Sequence, residues 1–208
     1  MSEYEKTPLD DNKLSIFGKK FEGGGTPKLS FSVFKGNPAL LVFTNDPNDS
    51  EKKPIRAAFD MGNWGYLVRL LTVELPNAQG ATEERLCMKR GAPQKLFEDA
   101  KIVAGKDSEG VIYIGVSKKG RTAVRFEMMP SMYMTPVDRE GNPLDKGYVS
   151  RVFTQGYMSL VNSIVEQQIM NTYEPYNPQQ NRRGGSGGGG NSQPSAPSSD
   201  PFGESMPL

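Results

Sequence analysis

The sequence predicts an α+β protein: mainly antiparallel sheet, one middle helix, and a long C-terminal amphipathic helix leading into a tail that does not fold. Three observations carry this. KLSFSVFK (28–35) alternates, with Leu29, Phe31 and Val33 on one face and Ser30 and Ser32 on the other, the period of a half-buried strand. Residues 101–129 read as three apolar runs separated by a DSEG turn and a KKG turn, a three-stranded meander. Residues 149–173 place Val152, Phe153, Tyr157, Leu160, Val161, Ile164, Val165 and Ile169 at three- and four-residue spacing along a broad apolar stripe. Strand order is invisible in one dimension, so an OB-like barrel and another antiparallel sheet with helices both stay open.

The elements follow in order. MSEYEKTPLDDNK is polar and reads as loose, LSIF (14–17) as a short strand, and FGKKFEGGGTPK as turn. After KLSFSVFK, Asn37-Pro38 breaks the pattern and ALLVF (39–43) reads as a buried strand. FTNDPNDSEKKP is a long polar loop and IRAAF (55–59) a further strand. In FDMGNWGYLVRLLTVEL, Trp64, Leu67, Val68 and Leu71 have helical spacing, with Asp60 or Asn63 as N-cap and Pro76 as a stop. RLCMK (85–89) reads as a strand and PQKLFEDA (93–100) as one or two helical turns. In the meander, Lys118-Lys119-Gly120 puts two lysines on a tight turn where glycine supplies positive φ.

Composition removes several function classes. The apolar fraction is 36%, and the deficit is concentrated after Tyr173, so residues 1–173 read as the folded domain and 174–208 as a disordered linker and tip. No apolar run approaches 18 residues and the N-terminus is not basic-then-apolar, so neither membrane span nor secretory signal is expected. A lone cysteine, Cys87, fits a reducing cytoplasm. With no histidine, neither a structural zinc nor the usual acid–base group is at hand. GKKFEGGGTPK lacks P-loop spacing and DREGNPLD lacks the calcium-loop ligand pattern. Cys87 reads as a small, half-buried strand residue. No catalytic residue, metal site or cofactor is expected, and the protein reads as a non-enzyme.

The net charge of +1 conceals a pattern. Residues 85–125 carry 10 basic and 4 acidic side chains, net +6, and every other part of the chain is slightly acidic. Arg85, Lys89, Arg90, Lys95, Lys101, Lys118, Lys119, Arg121 and Arg125 fall in this block, interleaved with Phe97, Tyr113 and Phe126. Single-strand binders need cations along a groove for phosphates and flat side chains for base stacking. Alternation puts Val111, Tyr113 and Gly115 on one face, and Ile112, Ile114 and Val116 on the other. Arg121, Ala123 and Arg125 share a face of the next strand, making Tyr113 beside Arg121 and Arg125 the leading candidate constellation. Trp64 and Tyr66, flanked by Gly62 and Gly65, form a second candidate stacking platform. The plain alternatives are core packing for Trp64 and solvated, edge-protecting lysines for the hairpins.

The tail differs in kind. NRRGGSGGGG is a flexible linker that reaches tens of ångströms, and DPFGESMPL frames an exposed Phe202 between two acids. Such a tip suits docking in a basic-rimmed apolar pocket. A compact basic β-rich core, a Gly/Ser/Pro/Asn/Gln linker and an acidic tip with Pro-Phe resemble the single-stranded DNA-binding proteins; the matching tip residues are Asp200, Pro201, Phe202 and Glu204. Only two acids flank the motif, and six residues follow Phe202. The long helix leading into the tail is similar to the podophage ssDNA-binding RNA polymerase cofactors, the Drc type. That resemblance implies a bacteriophage protein that coats single-stranded DNA cooperatively in replication, recombination or transcription regulation, its tail recruiting replication or RNA polymerase proteins. The apolar circumference of residues 149–173 suggests a homo-oligomer. The competing expectation is a protein-binding adaptor or polymerase cofactor whose basic block contacts an acidic partner.

Overall fold

The computed structural model describes residues 7–92, 95–131 and 133–172; the tail residues Asp200, Pro201, Phe202 and Glu204 lie outside the described residues, as do the side chains of Arg90 and Phe97. The α+β class stands: there are two four-stranded antiparallel sheets, each in sequence order, and a long helix after the second.

Sheet 1 contains β1 (Ile16–Phe17), β2 (Lys28–Phe34), β3 (Asn37–Phe43) and β4 (Ile55–Ala58). Its registers, Leu29 opposite Val42 and Val42 opposite Ile55, align the apolar phase of all strands, so Ile16, Leu29, Phe31, Leu40, Val42, Ile55 and Ala57 are buried together. The β2–β3 turn needs left-handed backbone at Lys35 and Gly36 (φ 51° and 72°). Sheet 2 contains β5 (Thr82–Ala92), β6 (Lys95–Lys106), β7 (Ile112–Lys118) and β8 (Val124–Glu127). Ile102, Ala104, Ile112, Ile114, Val116, Val124 and Phe126 form its buried face.

In chain order the two sheets are separated by α1 (Met61–Arg69), capped by Asp60 accepting the Asn63 N–H at 2.8 Å. A π turn, Leu70–Glu74, then leads into α2 (Leu75–Asn77), which ends one residue past Pro76. α3 (Lys146–Thr172) follows Asp145, whose carboxylate accepts the Tyr148 N–H at 2.8 Å. Ser150 pins this helix to sheet 2: its hydroxyl donates to the Met128 carbonyl (2.8 Å) and accepts the Ile112 N–H (2.9 Å). Met158, Val161 and Val165 join residues of both sheets and of α1 in one contiguous core.

Five readings change. Asn37-Pro38 does not break the strand pattern: both residues lie in β3, and the turn falls at Lys35-Gly36, where the backbone is left-handed. PQKLFEDA is not helical: residues 95–100 are the start of β6, because pairing along the whole of β5 overrides the local pattern. Residues 8–14 are not loose: they form two 3-10 turns, Pro8–Asp10 and Asn12–Leu14, with Leu9 only 1% exposed in the core. The strand at 14–17 shrinks to Ile16–Phe17. Cys87 is exposed, because β5 is an edge strand.

Candidate nucleic-acid interface

Sheet 2 brings part of the expected constellation together. Tyr113 lies opposite Gly105 and Glu127, and Gly115 opposite Arg125, so the Arg125 guanidinium reaches the Tyr113 ring at 3.9 Å from its centroid. The ring lies down over Gly105, where any Cβ would come within 2.6 Å of it. Its hydroxyl donates to Glu83 (3.1 Å), which also receives Arg85, and Arg125 is held by Asp107 at 2.5 Å. Burial and the bond to Glu83 push the Tyr113 hydroxyl pKa up, while Arg85 and then Tyr113 hold Glu83 down. Asp107 is raised by burial but lowered further by the Val111 N–H and Arg125, ending below the usual carboxylate range. The tyrosine and the arginine stacked on it are thus each already bonded to an internal carboxylate.

Much of the basic block is neutralised within the fold. Lys101 pairs with Glu98 (3.1 Å) and Lys118 with Asp99 (3.2 Å). Arg121 does not join Tyr113: its side chain is 2% exposed, paired with Asp49 and bonded to the Lys53 carbonyl at 2.8 Å. Trp64 is no platform either. It is 1% exposed between Phe31 and Phe59, with its indole N–H donating to Asn162 at 2.8 Å. Tyr66 is exposed, but its hydroxyl donates to Glu84, which raises its pKa. Tyr66, Arg85 and Lys89 do line one groove of about 530 Å³ with Leu86, Cys87 and Met88. Lys89, Lys95 and Lys119 are exposed and make no ion pair among the described residues. Val111, on the Tyr113 side by alternation, is nonetheless buried just ahead of β7.

Sequence reasoning missed the outer face of sheet 1. One row there is Phe17, Lys28 and Phe43; the next is Ser30, Leu41 and Arg56; Ser32, Ala39 and Ala58 follow, and Phe34 closes the far end, with Ser30 (bonded to Ser15) and Ala39 buried in the middle rows. Phe17 is 52% and Phe34 38% exposed. Lys28 sits 4.7 Å over Phe43, and Arg56 4.3 Å over Phe34, with Lys35 at 5.7 Å. None of the four strands contains an acid, and none of these three cations makes an ion pair among the described residues. The row through Phe17 and Phe43 and the far Phe34 stand about 20 Å apart along β2. Beside Phe43 the face opens into a cleft of about 440 Å³ lined by Gly23, Gly24, Asn45 and Lys52 together with the acids Asp46 and Glu51. The available signal was phase: Phe34 and Phe43 fall in the polar phase of their strands, as do Lys28 and Arg56.

Among the described residues no three histidine, cysteine, aspartate or glutamate side chains are grouped to hold a metal, and no helix is long and apolar enough to cross a membrane. Compared with known proteins, the chain matches no protein family, no curated protein and no solved structure.

Proposed function

We propose that the chain is a non-enzymatic, sequence-tolerant binder of single-stranded DNA, and that the strand lies across the outer face of sheet 1. The observation that carries this is the joining of exposed Phe17 and Phe34 and half-buried Phe43 with Lys28, Lys35 and Arg56 on a face whose strands contain no carboxylate. Bases stack on rings of any neighbour sequence, and the cations meet phosphates without having to leave an internal carboxylate, Lys28 giving up only a 3.2 Å hydrogen bond to Asn12. The Tyr113–Arg125 stack on sheet 2 is the weaker platform, because a base there competes with Asp107 and Glu83 for the arginine and tyrosine.

The layout that resembles phage single-strand binders gives this binding its setting in replication, recombination or transcription in a host cytoplasm. In that setting the tip around Asp200, Pro201, Phe202 and Glu204 recruits a replication or RNA polymerase protein. Deletion of residues 200–208 then abolishes partner capture and leaves oligonucleotide affinity intact; retention of every partner would remove that role.

The binding test is fluorescence anisotropy with labelled oligo-dT across a salt series. Three phosphate contacts predict a slope of about −2 in log affinity against log salt. Phe17→Ala and Phe34→Ala should each weaken binding by about 1–3 kcal/mol with unchanged melting temperature. Wild-type affinity in both variants would sink the sheet 1 site. A second reading, a protein-binding adaptor, draws on exposed Tyr133, Met134 and Val137 in the segment before α3 and on Val152, Leu160 and Met170 along the helix. It predicts no length-dependent oligonucleotide affinity.

A further inference from the structure

Strands β5 and β6 outrun the sheet they belong to. They pair from Thr82 opposite Lys106 to Ala92 opposite Lys95, but β7 accompanies β6 only over Ala100–Lys106. Beyond that, four pairs continue as a two-stranded ribbon: Lys89 with Glu98, Arg90 with Phe97, Gly91 with Leu96 and Ala92 with Lys95. A bulge between Met88 and Lys89 marks where the third strand stops, and bulges bend and twist the strands that leave them. The ribbon is about 13 Å long. A two-stranded ribbon of this length is marginal in water unless something else supports it.

Its charge is one-sided. Lys89 and Lys95 are exposed and make no ion pair among the described residues, and Arg90 is a third cation in the same sequence. Its first row carries one acid, Glu98 opposite Lys89, which Lys101 engages at 3.1 Å, and at the bulge Asp99 is engaged by Lys118 at 3.2 Å. Lys89 and Lys95 stand in rows three apart and therefore project from opposite faces, about 10 Å apart along the ribbon. Cations on both faces of a thin ribbon suit a slot with two anionic walls rather than a single strand on a flat face. The major groove of a DNA duplex is such a slot: it is about 12 Å wide, walled by phosphates and able to admit a two-stranded β-ribbon.

We propose that the β5–β6 ribbon enters the groove of a DNA duplex, with Lys89 and Lys95 on phosphates of its two walls. It adds duplex contact to the single-strand reading without depending on it; together the two sites hold a junction of single and double strands.

The test uses the full chain and three labelled probes: oligo-dT, a duplex of about two helical turns, and the same duplex carrying a dT overhang. Wild type is expected to bind the duplex with steep salt dependence and the overhang probe more tightly than either part. The double reversal Lys89→Glu with Lys95→Glu should weaken duplex and junction about tenfold, flatten the duplex salt slope by about two, and leave oligo-dT affinity within about twofold. The neutral pair Lys89→Gln with Lys95→Gln should give a smaller loss of the same kind, and Lys119→Glu, an exposed reversal on the β7–β8 turn, none. Circular dichroism and melting should be unchanged in all three. No duplex binding at low salt, unchanged duplex affinity in the double reversal, an equal loss for oligo-dT, or an equal loss in Lys119→Glu would each overturn the ribbon proposal. Loss of oligo-dT binding by wild type alone, with the duplex result intact, would instead sink the single-strand reading and leave the ribbon standing.

Discussion

Arg121 shows how far a residue's role can sit from its sequence appearance. In KKGR it is one more cation of a basic turn, yet its guanidinium is buried against Asp49 and reaches Glu51 at 3.3 Å and the Lys53 carbonyl. Thr44 donates to the same Asp49 carboxylate, Thr122 donates to Asp46 (2.6 Å) and Ser50 to the Gly120 carbonyl (2.7 Å). The turn of sheet 2 is thereby clamped to the loop after β3. What reads as phosphate affinity is spent on holding the fold. Burial alone would raise the Asp49 pKa, but the hydrogen bonds from Arg121 and Thr44 outweigh it and hold the carboxyl below its ordinary 3.8. A depressed folded pKa contributes stability that is complete above the unfolded value and lost as pH falls through the folded one. Asp49→Asn should therefore cost about 3 kcal/mol at neutral pH, since it leaves a buried guanidinium short of charge. It should also flatten the loss of stability below about pH 4 relative to wild type. Urea unfolding at a series of pH values measures both; an unchanged midpoint at pH 7 would mean the clamp carries no net stability.

At the scale of elements, periodicity was the readable part. The three- and four-residue spacing located α1 and α3, and strict alternation located β2 and β7 with their buried faces. What failed was local: PQKLFEDA looked helical because hairpin pairing with β5 leaves no mark in eight residues, and the π turn at Leu70–Glu74 shifts the buried stripe without any signature residue. The seating of α3 was equally unreadable. It depends on two glycines far apart in sequence, Gly110 (φ 81°) in the β6–β7 turn and Gly147 in the first turn of α3. A Cβ on Gly147 would stand 2.8 Å from the Glu109 carbonyl oxygen and 3.0 Å from the Gly110 Cα, both backbone atoms with little room to give. Gly147→Ala should thus destabilise by about 1–3 kcal/mol through overpacking. Gly156→Ala, an exposed position on the same helix where an added Cβ meets nothing within 4 Å, should stabilise by about 0.5–1 kcal/mol. Thermal melts of the two variants should move in opposite directions. A fall for both would show that the helix, and not its seat on the turn, is what glycine serves.

At the scale of the whole molecule, a charge count along the chain differs from one taken over the fold. The +6 of residues 85–125 excludes Glu83 and Glu127, the acids that fold back onto Tyr113, Arg85 and Arg125, whereas sheet 1 has few cations but no acid in its strands to cancel them. Binding faces follow from which charges remain after pairing, and pairing is set by register. The same register joins the two sheets into one structure. Phe31 and Leu40 from sheet 1, Ile114 and Phe126 from sheet 2, and Val161 from α3 belong to one core. Trp64 stands inside it, 6.0 Å from Phe31 and hydrogen-bonded to Asn162 of α3, and it is the only tryptophan in the chain. Its fluorescence reports packing between sheet 1 and α3, while far-ultraviolet circular dichroism weighs all the strands and helices. Because no apolar face of either sheet is covered independently of that shared core, the two signals should fall together in one cooperative urea transition. Trp64→Phe would keep an aromatic ring but leave the Asn162 amide without its donor. It should lower the midpoint of the circular dichroism transition by an amount equivalent to about 1–2 kcal/mol while preserving its single step. Two separated transitions in wild type, with tryptophan fluorescence changing in only one, would mean that sheet 2 unfolds on its own and that the outer face of sheet 1 is stabilised independently of it.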